Sequence, residues 1–313
     1  MPAITCKSPG KTILFGEHAV VYGFPAIAVP IDAVHLKVSI LGAPDQPAGV
    51  IRVRNNDTGE DVLLSGMPER NPIKAAILFT TASLNVDRFP AATINISSTI
   101  PVASGLGSSA ALAVALVRGF SQFLGFNLSN ERVNNLAFEV EKIHHGTPSG
   151  IDNSVVAFNQ PLYFVKGQPL EFLAFKKPLT LVVADSGIRS LTREVVAEVR
   201  NRKEQHPDLI TPLLSKIGAI AETAKEKLRE MDLAAIGDLM NDNHRLLIEL
   251  GVSCPELDKL VQAARQAGAL GAKLCGSGKG GNMVALAQTG QAEIIRDALI
   301  ANGTLNAWIT EVK

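Results

Sequence analysis

The stretch Pro101-Val-Ala-Ser-Gly-Leu-Gly-Ser-Ser-Ala-Ala111 decides the interpretation of this 313-residue chain. Two glycines and three serines precede an apolar, alanine-rich run over 110–124, which predicts a helix with Ser108 or Ser109 near its N-cap. The first N–H groups of a helix have no partner within it, and the helix dipole adds positive potential there. Serine hydroxyls can bond phosphate or bind magnesium, so this glycine-serine loop predicts a nucleotide-phosphate site. A simple tight turn is the alternative.

Composition and charge indicate a globular chain. Hydrophobic residues make up 46% of it, and 30 basic residues balance 30 acidic ones, so the net charge gives no support to a nucleic-acid or membrane partner. The longest apolar runs are too short to span a bilayer, and the first residues lack a signal-peptide pattern. We therefore expect a cytoplasmic protein. Its three cysteines are too scattered for a disulfide framework or a metal site, which predicts buried thiols at Cys6, Cys254 and Cys275.

The order of predicted elements indicates an α+β fold, with two α+β layers rather than a doubly wound parallel sheet. Alternating or β-branched runs predict strands at 26–31, 35–40, 50–53, 93–100, 179–184, 271–275, 282–287 and 305–312. Apolar periodicity predicts helices at 72–84, 110–124, 130–144, 209–250 with a break near 231–232, 255–267 and 291–302. Because composition changes near residue 175, we predict an N-terminal domain over 1–175 and a C-terminal domain over 176–313.

A first motif, PGKTILFGEHAVVYG at residues 9–23, places Lys11, Glu17 and His18 among apolar strand residues. It is not a P-loop, because Lys11 precedes the glycine spacing that a P-loop requires. Each residue also has an ordinary interpretation. Lys11 is compatible with a surface charge, and His18 with a hydrogen-bonded core histidine.

A carboxylate segment, EKIHHGTPSGID at residues 141–152, carries Glu141 near a helix end and Asp152 after a Pro-Ser-Gly turn. The oxygens of Glu141 suit Mg²⁺, and Asp152 suits a proton acceptor. Glu141 could instead only pair with a nearby lysine. Neighbouring residues on a helix point about 100° apart, so His144 and His145 do not favour a zinc site.

A third motif, KLCGSGKGGN at residues 273–282, lies between two predicted strands. Its glycine cluster could form a backbone lip beside a transferred phosphate. A glycine-rich hairpin loop is the alternative interpretation.

Taken in this order, PGKTILFGEHAVVYG, PVASGLGSSAA and KLCGSGKGGN resemble the three motifs of the GHMP kinase superfamily. Within that superfamily, GEHAVVYG and HGTPSGID are most similar to the mevalonate kinases. The resemblance implies a ribosomal-protein-S5-domain-2-like N-terminal domain with the phosphate-binding loop and a ferredoxin-like C-terminal domain, with the active site in the cleft between them. It also implies ATP as co-substrate, Mg²⁺ and, often, a homodimer. Ser277 and Lys279 depart from the near-continuous glycine run usual in the third motif.

The resemblance also implies roles for individual residues. Asp152 matches the catalytic aspartate, and Lys11 matches the lysine that pairs with it and favours the substrate alkoxide. Ser109 and Glu141 match the Mg²⁺ ligands. The positions expected to hold the ATP phosphates are Pro101, Ala103, Ser104, Gly105, Leu106, Gly107, Ser108, Ser109 and Ala110. The positions expected to contact the substrate are Glu17, His18, Thr192, Gly276 and Ser277.

The activity that this resemblance implies is phosphorylation of the 5-hydroxyl of (R)-mevalonate by ATP, giving 5-phosphomevalonate and ADP for isoprenoid precursor biosynthesis. The alternatives are a sibling kinase for phosphomevalonate, homoserine, a sugar or the 3-hydroxyl of mevalonate, or a related decarboxylase. From a different class, the chain could be a catalytically silent ligand sensor on the same fold.

Overall fold

The computed structural model describes residues 3–101, 105–145 and 148–313, and the chain divides into two compact units. Of the described residues, the first unit comprises 3–10, 34–101, 107–145 and 148–159, and the second comprises 11–33, 105–106 and 160–313. The division into 1–175 and 176–313 stays a prediction. Of the predicted phosphate-binding positions, Ala103 and Ser104 lie outside the described residues, as do the side chains of His144 and His145.

The first unit contains a sheet of the order β4-β3-β5-β2. Its strands are β1 (Ile4–Phe15, residues 4–10 in this unit), β2 (Ala26–Gly42, from residue 34 onward), β3 (Ile51–Asn55), β4 (Glu60–Leu63) and β5 (Ala92–Ser98). β5 pairs antiparallel with β2 and parallel with β3, while β3 and β4 form a hairpin. Every second residue of β2 and β5 is buried, such as Val38 and Ile94, so one face of the sheet forms core.

Four helices of the described chain complete this unit: α1 (Pro72–Leu84), α2 (Ser108–Phe123), α3 (Asn130–His145) and α4 (Ile151–Phe158). α2 contacts the other three helices. Its alanines and valines are almost completely buried, as expected for a helix that has neighbours around most of its circumference. The core of the first unit therefore surrounds the helix that follows the glycine-serine loop.

The second unit contains a four-stranded antiparallel sheet of the order β11-β8-β10-β9. Its strands are β8 (Leu179–Asp185), β9 (Gly271–Cys275), β10 (Asn282–Leu286) and β11 (Asn306–Val312). The beginning of β2 also lies in this unit, where it pairs with β6 (Leu162–Phe164), which in turn pairs with β7 (Glu171–Phe172). β9 is an edge strand of the four-stranded sheet.

The helices of the second unit are α5 (Thr192–Gln205), α6 (Pro207–Glu230), α7 (Leu233–Glu249), α8 (Pro255–Gln266) and α9 (Ala292–Ala301). α7 packs along β9, and two of its side chains accept hydrogen bonds from that strand. Asn241 Oδ1 accepts from the N–H of Ala272 at 3.2 Å, and His244 Nδ1 accepts from the N–H of Leu274 at 3.3 Å. These two N–H groups of β9 are therefore hydrogen-bonded to side chains of α7 rather than to another strand.

The predicted α+β class is confirmed, and most predicted elements lie within two residues of the observed ones. One expectation needs correction, and the strands β4, β6 and β7 and the helices α4 and α5 were not expected. The strands expected at 26–31 and 35–40 are one continuous strand, β2, because its two halves pair with different partners. α5 was not expected, since its sequence is mostly polar and only Val195 and Val199 are buried. α4 was not expected either, because it is short.

Among the described residues, no helix combines the length and apolar character needed to cross a bilayer.

Candidate active site

In the first unit, the described end of the glycine-serine loop leads directly into α2. Gly107 occupies the N-cap at φ 76° and makes no side-chain cap, and Ser108 and Ser109 directly follow it, so the expectation that one of these serines lies near the N-cap is confirmed. The left-handed glycine turns the backbone into the helix. Ser108, Ser109 and Ala110 therefore form the first turn of α2, where backbone N–H groups face an anion favourably.

The hydroxyl of Ser109 donates a hydrogen bond to the carboxylate of Glu141, on α3. Glu141 is only 3% exposed. The structure thus brings together the two residues predicted to bind Mg²⁺. Hydroxyl and carboxylate oxygens are ligands that Mg²⁺ accepts, and the ion commonly takes one or two such protein groups beside substrate phosphates and water. The donor set therefore fits the ion.

Asp152 lies half-buried in the first turn of α4. Gly150 forms the N-cap of that helix at φ 94°, and Ser154 Oγ donates to Gly150 O at 2.7 Å. A carboxylate in the first turn of a helix is stabilised by the helix dipole. The Asp152 carboxylate therefore lies at the positive end of the α4 dipole.

In the second unit, Lys11 of the first motif, Gly105 and Leu106 of the glycine-serine loop, and Gly276 of the third motif lie close together. The backbone N–H of Lys11 donates to Leu106 O at 2.9 Å, and the Lys11 residue is 3% exposed. A Cβ on Gly105 would lie 3.7 Å from Gly276 Cα and 3.8 Å from Cys275 O. Four of the predicted site residues in this unit are therefore neighbours through their backbones.

The turn at Gly16-Glu17-His18 is tightly constrained. Gly16 has φ 94°, and a Cβ there would lie 2.4 Å from Pro25 O, so this position accommodates only glycine. His18 has φ 61°, unusual for a residue with a side chain. Its Nε2 lies 2.9 Å from Ser277 O. Because a carbonyl oxygen can only accept, Nε2 carries the proton and Nδ1 is the accepting nitrogen.

Burial lowers the pKa of His18 to about 4, and the hydrogen bond to Ser277 opposes that shift. The ring is therefore neutral at physiological pH. A neutral ring with a protonated Nε2 can accept a hydrogen bond from a ligand hydroxyl but supplies no positive charge to an anion.

Glu17 belongs to a buried polar cluster with Lys273 and Asn243. Glu17 and Lys273 are each 0% exposed, and Lys273 Nζ donates to Glu17 Oε1. Asn243 Nδ2 donates to Glu17 Oε2 at 3.2 Å, and Lys273 Nζ also donates to Leu274 O at 2.6 Å. Burial raises the pKa of Glu17, while the positive charge of Lys273 lowers it.

Sequence reasoning gave Lys273 no role. The available signal was its position inside the apolar strand Gly-Ala-Lys-Leu-Cys, because a lysine is almost never fully buried unless it is paired.

Several hydrogen bonds join the third motif to the beginning of α5. The hydroxyls of Thr192 and Ser277 lie 3.3 Å apart. Ser190 Oγ donates to Gly278 O at 2.7 Å, and the N–H of Gly281 donates to Ile188 O at 2.7 Å. Two predicted substrate positions, Thr192 and Ser277, are therefore in direct contact.

Lys279, which departs from the usual glycine run, has φ 53° and forms an ion pair with Glu198 on α5. Its backbone N–H donates to Val252 O at 2.7 Å. Its charge is therefore directed to a neighbouring carboxylate.

The cysteines behave as predicted for buried thiols in two of three cases. Cys6 and Cys275 are buried, whereas Cys254 is half-buried. Burial raises the pKa of all three thiols, which keeps them protonated. Within the described part of the chain, no group of three His, Cys, Asp or Glu side chains is placed to hold a metal ion by itself.

Comparison with known proteins places these features in a family. Residues 71–160 match the GHMP kinases N terminal domain, and residues 224–305 match the GHMP kinases C terminal domain. The mevalonate kinase of Thermococcus onnurineus is 40% identical over 96% of this chain and 94% of its own length. That of Saccharolobus solfataricus is 32% identical over 96% of both chains.

Solved structures agree. Leishmania major mevalonate kinase in complex with R-mevalonate superposes with a TM-score of 0.85 at 33% identity, over 99% of this chain and 95% of that one. Methanococcus jannaschii mevalonate kinase superposes with a TM-score of 0.86 at 26% identity, over 100% of this chain and 99% of that one. The motifs, the two-domain fold and the near-complete coverage lead to one conclusion: this chain belongs to the GHMP kinase family.

Proposed function

We propose that this chain is an ATP-dependent kinase that phosphorylates the 5-hydroxyl of (R)-mevalonate, yielding 5-phosphomevalonate and ADP in the mevalonate pathway of isoprenoid biosynthesis. The observation that carries the proposal is the similarity of nearly the whole chain to mevalonate kinases, at 40% identity in the example above. The site geometry supports it, because the described residues of each motif include functional groups on which a phosphoryl transfer would depend, such as the contacting pair Ser109 and Glu141.

The first turn of α2 is the proposed phosphate cradle. The N–H groups at Ser108, Ser109 and Ala110 stand at the positive end of the helix dipole, which favours the negative charge of a triphosphate. We assign Mg²⁺ to Ser109 and Glu141, whose oxygens are already in contact. When bound, the ion would neutralise charge on the transferred phosphate.

Asp152 is proposed to accept the proton of the substrate hydroxyl, and Lys11 to stabilise the negative charge that develops on that oxygen. Phosphoryl transfer depends mostly on positioning and electrostatic stabilisation, so a carboxylate and a lysine are sufficient functional groups for the acceptor side. Lys11 is suited to this role because its backbone is fixed to Leu106 of the phosphate loop.

The residues proposed to form the substrate site are Glu17, His18, Thr192, Gly276 and Ser277. The neutral His18 ring offers an accepting nitrogen, and the contacting hydroxyls of Thr192 and Ser277 can both donate and accept. Such groups suit a small polyhydroxylated carboxylic acid. A homodimer and a cytoplasmic location stay predictions from the sequence.

The test is a coupled assay of ADP release with Mg-ATP on (R)-mevalonate, phosphomevalonate, homoserine and galactose. We expect strong turnover on mevalonate alone, whereas turnover only on another alcohol would contradict the substrate assignment.

Asp152→Asn should lower kcat about 10²- to 10⁴-fold if Asp152 is the proton acceptor. The matched control is Asp208→Asn, an exposed aspartate in the first turn of α6, which should leave kcat unchanged. A loss within about tenfold for Asp152→Asn would contradict the base role.

A further inference from the structure

The buried polar cluster of Glu17, Lys273 and Asn243 has no role in the phosphoryl transfer described above. Placing charges away from water is costly unless they are paired and fully hydrogen-bonded, and an apolar pair of similar volume often stabilises as well. A lysine in the middle of strand β9, with a glutamate 256 residues away in sequence, therefore calls for a functional explanation.

Both carboxylate oxygens of Glu17 accept hydrogen bonds within the chain. Its Oε1 accepts from Lys273 and its Oε2 accepts from Asn243, and the residue is 0% exposed. In this arrangement, neither oxygen is open to solvent. Glu17 can therefore influence a substrate through the backbone that it holds.

That backbone is the constrained turn described above. Gly16 is pressed against Pro25 on one side of Glu17, and His18 has a strained positive φ on the other. A strained non-glycine residue persists only where its surroundings hold it in place. Glu17 is anchored to Lys273, and the adjacent His18 is anchored to Ser277 O. The first motif is thus tied to the third at two successive residues.

We infer that Lys273 and Glu17 are positioning residues that fix the ring of His18, with Nε2 bound to Ser277 and Nδ1 as the acceptor for a hydroxyl of the substrate alcohol. The identity of that alcohol rests on the proposed function. Glu17 then acts through His18 rather than by touching the substrate.

The first test separates positioning from direct contact. Glu17→Gln keeps the shape of the side chain, and its amide can donate to Asn243 Oδ1, which is buried and has no hydrogen-bond partner among the described residues. Positioning predicts that the KM for mevalonate changes by less than about threefold, because an amide oxygen can still accept from Lys273 Nζ and so hold the turn. A direct charge-assisted contact predicts an increase of about tenfold or more, and that result would overturn the inference.

The second test removes the anchor. Lys273→Met should raise the mevalonate KM about tenfold or more while the ATP KM changes by less than about threefold, since a small displacement of a positioning group is enough for such a loss. A buried, unpaired carboxylate can prevent folding. The double variant Lys273→Met with Glu17→Gln is therefore tested as well, because it removes the anchor without leaving an unpaired charge. Lys225→Met, which breaks the half-buried pair with Glu171 in the same unit, is the matched control.

A spectroscopic readout distinguishes positioning from general stability. In the substrate-free enzyme, the titration of the His18 imidazole is followed by NMR, with its signal identified by its loss in His18→Asn. The wild type and Lys225→Met should titrate near pH 4, whereas both Lys273 variants should titrate at least one unit higher, because a released ring is better solvated. An unchanged His18 pKa in both Lys273 variants would overturn the inference. A wild type that titrates as expected but does not turn over mevalonate would instead contradict the proposed function.

Discussion

The third motif carries two lysines that form the same kind of interaction in opposite surroundings. Lys273 and its partner Glu17 are 0% exposed, whereas the side chains of Lys279 and its partner Glu198 are 37% and 49% exposed. Both pairs lie within the second unit. Both pairs join a lysine to a glutamate, so a difference in their contributions to folding stability arises from their different exposure to water.

Water screens the charges of the exposed pair and also competes for them, so such pairs contribute roughly 0–1 kcal/mol. The buried pair has lost its hydration, and the attraction between its charges only offsets that loss. Consequently, the buried pair adds little net stability as a pair, but removing one member leaves a charge with neither water nor partner. Loss of either charge should therefore reduce folding stability much more in the buried pair than in the exposed pair.

The largest expected effect is on folding stability. Lys273→Met should lower the free energy of unfolding by about 3–5 kcal/mol, because Glu17 is left buried without its counter-charge. Lys279→Met should lower it by less than about 1 kcal/mol. Urea unfolding of both variants, followed by circular dichroism, measures the difference. Equal losses for the two lysines would break the comparison.

The second prediction extends the comparison to a titrating group. The pKa of His18 is about 4 in the folded protein, below the value of about 6.5 in an unfolded chain, so the unfolded chain binds the proton first as pH falls. The stability that neutral His18 provides is present above about pH 6.5 and is lost as pH falls toward 4. The loss amounts to about 3 kcal/mol.

His18→Asn should remove that part of the acid sensitivity, as measured by unfolding curves between pH 7 and pH 4. The exposed His206, replaced by Asn, provides the control. If wild type and His18→Asn lose stability in parallel over this range, His18 is not desolvated as the structure indicates.

The smallest of the three effects isolates the packing of the turn that holds Glu17. Gly16 and Gly23 have nearly the same φ, 94° and 87°, but a Cβ on Gly16 would meet Pro25 O at 2.4 Å and a Cβ on Gly23 would meet nothing within 4 Å. Both alanine variants incur the backbone strain, about 1–2 kcal/mol. Gly16→Ala should lower the free energy of unfolding by roughly a further 1 kcal/mol, because its Cβ would clash with Pro25 O. The difference between the two thermal unfolding midpoints measures it, and identical midpoints would show that the turn can relax.

Local signals made much of this fold predictable. The break between α6 and α7 was visible at residues 231–232, and the glycine-serine loop was correctly placed before its helix. Ser109 and Glu141, expected together as Mg²⁺ ligands, were also found in contact in the structure. These features depend on periodicity, turn residues and motif spacing, which are properties of short segments.

The features that escaped prediction depend on distant contacts. The partner of Glu17 lies 256 residues away, and a single sequence carries no information on which buried charge meets which. The strand β2 runs without a break past residues 31–35, and its two ends pair with β6 and β5, which are distant in sequence. α5 is mostly polar, and its two buried valines give too weak a period to identify a helix.

The side chains of Asn241 and His244 along β9 have a consequence for the behaviour of the protein at high concentration. An edge strand with free N–H groups is a template on which a strand from another molecule can add. Here the N–H groups of Ala272 and Leu274 are already occupied by α7, so β9 offers an incoming strand no donors at these two positions. By occupying these donors, α7 disfavours the addition of a strand from another molecule to β9, and with it aggregation through this edge of the sheet.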